Sequence, residues 1–197
     1  MMRPLAGVMA LCGLAALAPG CGSSPPSRFY TLSAGASPSA APSTLSVAVG
    51  PVTIPAAVDR PQMVVSMGPN QVELDEFNRW AGPLGNNISR VVAVNLVTLL
   101  GTPHVTLFPE MLSAGADFRV AIEVQRFDST PGESAVLDAV WIVRRAKDGK
   151  SETGRTTVRE TLQEKGYDVL VAAHSRGIAR LSQDVAAAVR GLDRGGQ

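Results

Sequence analysis

Cysteine and histidine, the residues on which most metal sites and much catalysis depend, are almost missing from this chain. Its two cysteines, Cys12 and Cys21, both fall near the start. The remaining length therefore cannot carry a disulfide framework or a cysteine metal cluster. There are also only two histidines, His104 and His174, and no HExxH, GxSxG or glycine-rich phosphate loop. Aromatic residues make up only 5% of the sequence. Charge of one sign is not in excess: the formal net charge is +1, and Lys and Arg form no cluster of the kind a nucleic-acid binder shows. No apolar run reaches the about 20 residues that a spanning helix needs.

What is present begins with an N-terminal signal. Arg3 is followed by an uncharged, Leu- and Ala-rich run from Pro4 to Gly20 that ends at Cys21, the layout of a secretory signal peptide. Leu17-Ala18-Pro19-Gly20-Cys21 resembles a bacterial lipobox, with the Leu one place further back than usual. The expectation is that residues 1–20 are removed and Cys21 becomes a lipidated N-terminus. Such a cysteine carries several acyl chains, each CH₂ worth about 0.8 kcal/mol when buried in a bilayer. The covalent lipid on Cys21 is the only cofactor expected, and no metal is expected. Arg3 is the one charged residue ahead of Cys21, so the mature chain carries 17 basic and 17 acidic residues. Gly22 stands where retained lipoproteins carry Asp, and by resemblance to sorted Gram-negative lipoproteins the expected anchor is the outer membrane, periplasmic face, with the inner membrane as the alternative.

Residues 21–44 read as a lipidated N-terminus and flexible leash, rich in Ser, Gly, Pro and Ala. One island interrupts it: Phe29 and Tyr30, in SRFYTLS. A short strand is not stable alone, so residues 28–32 are expected to dock as an added strand on the main domain. Residues 45–192 read as a single α+β domain, and 193–197 as a disordered tail. LSVAVGPVTIP is a β-rich run bent at Gly50-Pro51, followed by strands at QMVVSM and, after Gly68-Pro69-Asn70, a short one at QVEL. Leu84, Ile88, Val91, Val92, Leu96 and Leu99 recur at helical spacing between Pro83 and Gly101. Asn86, Asn87, Ser89, Arg90 and Thr98 fall mainly on the other face. Phe118, Val120, Ile122 and Val124 alternate with Arg119, Ala121, Glu123 and Gln125, a clear strand. Two further strands flank the hairpin turn Asp148-Gly149. A final helix from about Tyr167 to Val189 places Leu170, Ala173, Gly177, Ile178, Leu181, Val185, Ala188 and Val189 on one stripe. The predicted fold is α+β: a mainly antiparallel sheet with two long helices packed on one face.

No catalytic residues are assigned. His174-Ser175 places a base beside a hydroxyl, but neighbours on a helix point about 100° apart. Both histidines read as structural or surface residues. Asp75-Glu76 is expected just ahead of a helix, where negative charge suits the dipole.

Several stretches together carry a resemblance. RFYTL after the cysteine, VGPVTIPAAVDRPQMVV at 49–65, LDEFNRWAGPL at 74–84, and FRVAIEVQRFD followed by VLDAVWIV resemble the ABC-type transport auxiliary lipoproteins, including the paraquat-inducible protein C group. Their order and spacing carry the likeness, not any one motif. The resemblance implies a non-catalytic accessory subunit partnered with a mammalian-cell-entry (Mce) domain protein and an ABC permease/ATPase, supporting outer-membrane integrity, and in some relatives a homo-oligomeric ring. No nucleic-acid partner is expected. Within that reading the candidate partner contacts are a loop at Asp59, Arg60 and Gln62, whose other reading is a turn with a local ion pair, and Phe77 with Trp80 at an i, i+3 spacing. The other and stronger reading of Phe77 and Trp80 is packing over the entrance of the first helix. A role in outer-membrane or cell-wall assembly, and a periplasmic hydrolase, stay open as alternatives.

Overall fold

In the computed structural model, which describes residues 25–37 and 41–195, the chain folds into an α+β domain. The signal segment and Cys21 lie outside the described residues. Eight strands and two α-helices follow in chain order: β1 (Arg28–Tyr30), β2 (Val47–Thr53), β3 (Gln62–Gly68), β4 (Gln71–Trp80), α1 (Leu84–Leu100), β5 (Val105–Leu107), β6 (Phe118–Thr130), β7 (Ser134–Arg145), β8 (Ser151–Thr161) and α2 (Tyr167–Arg194). A 3-10 turn at Met111–Ser113 joins β5 to β6.

The α+β class and the long helix pair match the expectation from sequence. The finer arrangement is a pair of mixed sheets: three strands in the order β1-β4-β3 and five in the order β5-β2-β6-β7-β8. β3–β4, β6–β7 and β7–β8 are antiparallel, whereas β2 runs parallel to both β5 and β6, and β1 runs parallel to β4. Parallel neighbours need a long crossover, and the segment holding β3, β4 and α1 supplies it for β2. Alternating polarity says which face a residue occupies and nothing about the direction of its neighbour.

Both helices close as their sequences dictate. Gly101 caps α1 in the left-handed conformation at φ 65°, where a side chain would be strained. The predicted stripes are buried: Leu84, Ile88, Val91, Val92, Leu96 and Leu99 on α1, and all eight predicted positions on α2. Asn87, expected on the polar side of α1, is buried as well. α2 reaches Arg194, past the expected helix end at Val189 and into the segment read as a tail. At Gly177 the helix approaches β7 closely, and an added Cβ there would sit 3.5 Å from the Leu137 side chain.

The alternation of β6 holds through Val124 and then slips. A bulge between Val124 and Arg126 shifts the phase, so that Phe127 and Ser129 face the core. Phe127 then stacks on His174 of α2 at 3.8 Å between ring centroids and meets Trp80 edge-on at 6.1 Å. This aromatic line joins the two sheets to the long helix.

Asp75-Glu76 does not precede a helix. Both residues lie inside β4, which runs ten residues to Trp80. Asp75 pairs with Met63 on the core side of the ladder. The apolar residues of LDEFNRW are too few and too irregular to impose a period, and pairing with β3 decides the conformation.

Candidate functional site

The N-terminal strand and the β3–β4 hairpin bring most of the predicted site residues together. β1 adds to the hairpin edge with Arg28 opposite Asn78, Phe29 opposite Arg79 and Tyr30 opposite Trp80. Within this pair of aromatics the roles divide. Tyr30 is half-buried, its hydroxyl donating to Asn78 Oδ1 at 3.0 Å and its ring 6.1 Å from that of Tyr167. Phe29 points outward and is 64% exposed. The deepest apolar anchor of the segment is Leu32, 1% exposed, which the sequence reading did not single out.

Beyond Leu32 the chain is pinned where a slack connector was expected. Ser33 N–H donates to Ser175 Oγ, and the Gly35 and Ala36 amides both donate to Asn95 Oδ1 at 3.1 Å. Asn95 in turn donates to Ser182 of α2 across the helix pair. A buried Asn in an otherwise apolar helix face was the available signal, since such an amide needs partners.

Asp75 is the centre of a polar cluster under the hairpin. Its carboxylate accepts from Tyr167 Oη, from Asn78 Nδ2 at 2.9 Å, and from the Phe77 and Asn78 amides at 2.8 Å. Burial acts to raise the Asp75 carboxyl, but the hydrogen bonds from Tyr167 and Asn78 outweigh it and hold it below the ordinary carboxylate range. Burial, and then the carboxylate beside it, pushes the Tyr167 hydroxyl well up. The cluster locks β4, α2 and, through Asn78, β1 in one register.

The candidate contact residues do not form one patch. Trp80 is 5% exposed and packs in the core, whereas Phe77 is 40% exposed and lines a recess with Pro25, Pro26, Arg28 and Tyr167. Their i, i+3 spacing would have put them on one face of a helix, but on a strand it separates them. Asp59 is exposed, and Gln62 donates to Glu76 across the hairpin at 3.2 Å. Arg60 is half-buried beside a cavity of about 360 Å³ lined by Pro61, Trp80 and Pro83, and its Nε lacks a hydrogen-bond partner among the described residues. Neither Asp59 nor Arg60 enters an ion pair among the described residues.

The two histidines sit in opposite settings. His104 is exposed. His174 is 1% exposed, and its Nε2 lies 2.8 Å from Ser129 Oγ, while Nδ1 is buried without a partner among the described residues. Burial holds its imidazole down to about 3, which makes it a weak base in a sealed place. Ser175, its sequence neighbour, instead donates to Val171 O.

A model of the ABC-type transport auxiliary lipoprotein component matches residues 30–186. The chain belongs to that family. Among solved structures, this auxiliary lipoprotein is similar to protein XCC0632 from Xanthomonas campestris, with a TM-score of 0.71 at 16% identity, covering 87% of this chain and 100% of that one. An uncharacterized protein gives a TM-score of 0.69 at 19% identity, covering 84% and 99%. At such identities the likeness establishes the shared fold. No curated protein matches the sequence. Membership makes the chain a lipoprotein component associated with a transport system, and no helix among the described residues is long and apolar enough to cross a membrane.

Proposed function

We propose that this auxiliary lipoprotein is a non-catalytic docking subunit of an ABC/Mce-type envelope lipid transport system, lipidated on Cys21 and held at the periplasmic face of the outer membrane, where it supports membrane integrity. The observation that carries the reading is the family match across residues 30–186, which takes in both sheets and most of α2. The buried Ser129–His174 pair is consistent with it, because an imidazole held at about 3 and sealed from solvent supplies neither a base nor access for substrate. The permease and ATPase would supply the driving force, and this subunit would supply position. Its contacts with the Mce-domain protein are assigned to Asp59, Arg60 and Gln62 beside the Arg60 cavity and to Phe77 in the recess below. A homo-oligomeric ring is the assembly this role would favour.

A photo-crosslinking residue placed at Asp59 or Phe77 in cells tests this directly. The expected product is an adduct with an Mce-domain protein, together with loss of membrane integrity on deletion of the chain. Adducts with cell-wall or outer-membrane assembly proteins alone would overturn the assignment. Ser129→Ala and His174→Gln should complement the deletion, and failure of these folded variants to do so would reopen the enzyme reading.

A further inference from the structure

The outward face of the three-stranded sheet is apolar at the end where the chain leaves toward Cys21. On β3 and β4, Val64 pairs with Leu74 and Ser66 with Val72, while Val65 and Met63 take the opposite, buried side. Leu74 is 40% and Val72 61% exposed on that face, and Met67, at the register shift between Ser66 and Gly68 beside the turn, is 58% exposed at the tip. Residues 66–74 contain a single charge, Glu73, which is exposed but pairs with Val65 and so lies on the side of the ladder opposite Val72 and Leu74.

Chain direction sets what lies beside this surface. Because β1 is parallel to β4, the chain running back from Arg28, opposite Asn78, heads toward the hairpin turn. Pro25 and Pro26 accordingly line a recess with Asp75 and Phe77. Asp75 is four residues from Gln71 at the turn, about 13 Å of strand. Cys21 is four residues from Pro25, a reach of about 14 Å. An acylated Cys21 can therefore lie level with the turn.

We propose that the turn end of the β3–β4 hairpin, through Met67, Val72 and Leu74, inserts into the lipid interface as a second attachment point beside the acyl chains of Cys21. The inference rests on the lipidation of Cys21 proposed above. The occupant is a bilayer with neutral headgroups, since residues 66–74 offer apolar side chains and no basic residue to attract anionic lipid, Arg79 lying at the far end of β4 opposite Phe29. Two attachments in place of one would fix the orientation of the domain on the membrane as well as its distance.

The full-length lipidated protein in vesicles of phosphatidylethanolamine and phosphatidylcholine provides the test. Met67→Cys, Val72→Cys and Glu152→Cys variants each carry an environment-sensitive fluorophore. Glu152 lies beside α2 at Gly191, where an added Cβ would sit 3.5 Å from its carboxylate, about 36 Å along the helix from Tyr167. Labels at 67 and 72 should shift to the blue, be quenched by spin-labelled lipid and resist iodide, with no dependence on added anionic lipid. The label at 152 should show the reverse. Flotation with the vesicles reads the anchor separately. Flotation with labels at 67 and 72 open to iodide would overturn the hairpin contact alone. Protection from iodide without quenching by lipid would replace the bilayer with a protein surface, such as a second copy. Failure to float would remove the anchor and this proposal with it.

Discussion

The two sheets each leave a face to solvent, and the two faces differ in how far ion pairs run across them. On the five-stranded sheet the outward side is laced with charge: Arg155 grips Asp138 at 2.5 Å, Arg126 pairs with Asp128, and Arg159 with Glu133. Asp138 is itself buried, and the Arg155 guanidinium on it, with help from Thr157, outweighs burial and lowers its carboxyl from the usual range. On the three-stranded sheet the turn end of the outward side is Val64, Leu74 and Val72 beside Ser66, and the polar groups gather at the far end, where Gln62 bonds Glu76 and Arg79 lies opposite Phe29. A solvent-facing sheet normally alternates apolar inside and polar outside. The large sheet keeps to that rule only in part, since Val136, Val140 and Ile142 share the face of Asp138 and Ile142 is 38% exposed, but its ion pairs run across that face. The small one breaks it and presents a surface suited to something other than water.

The comparison predicts a graded set of responses. The largest should come from the helix-covered face, where Phe118 is 1% exposed: Phe118→Ala should cost about 3–5 kcal/mol in urea unfolding. Met63→Ala, equally buried under the small sheet, should cost about 2–5 kcal/mol in the same measurement. A much smaller loss there would mean that the small sheet is a loosely held appendage.

His174 joins the two sheets through Phe127 and Trp80 and gives a pH signature. Its folded imidazole lies at about 3 against about 6.5 unfolded. The unfolded chain thus binds the extra proton between those values. Stability present above pH 6.5 should fall as pH drops, by up to about 1.4 kcal/mol per pH unit. Urea midpoints at pH 7 and pH 5 should show the drop in the natural chain and lose most of it in His174→Gln.

Asn95→Ala, which frees the Gly35 and Ala36 amides and Ser182, should cost about 1–3 kcal/mol and open residues 33–37 to protease before the domain melts. The smallest effects belong to the bare apolar face. Phe29→Ser and Val72→Ser should each change stability by no more than about 0.5 kcal/mol when measured in solution. A large loss from either would show that this face is packed within the folded chain.

Much of this organisation is legible in the residues. Helix α1 is marked by its stripe and its flanking Pro83 and Gly101, β6 by strict alternation, and the β7–β8 turn by Asp148-Gly149, where Gly149 takes φ 72°. These signals are local: they depend on a period or on one residue's backbone freedom. The candidate site was legible only in part. Phe29 and Tyr30 were expected to act together, yet strand geometry turns one outward and leaves the other against Asn78 and Tyr167. Phe77 and Trp80 are separated for the same reason.

The sequence by itself determined the class of elements, the helix stripes and the scarcity of chemical groups, because composition and periodicity act residue by residue. Only the tertiary structure decided that β2 would lie parallel to β5 and β6, that LDEFNRW would be a strand, and that His174 would meet Ser129. Each of those outcomes rests on contacts between segments far apart in the chain, where pairing and burial outweigh local preference. The apolar hairpin face belongs to both: alternation supplied its side chains, and the parallel course of β1 turned the chain running back from Arg28 toward it.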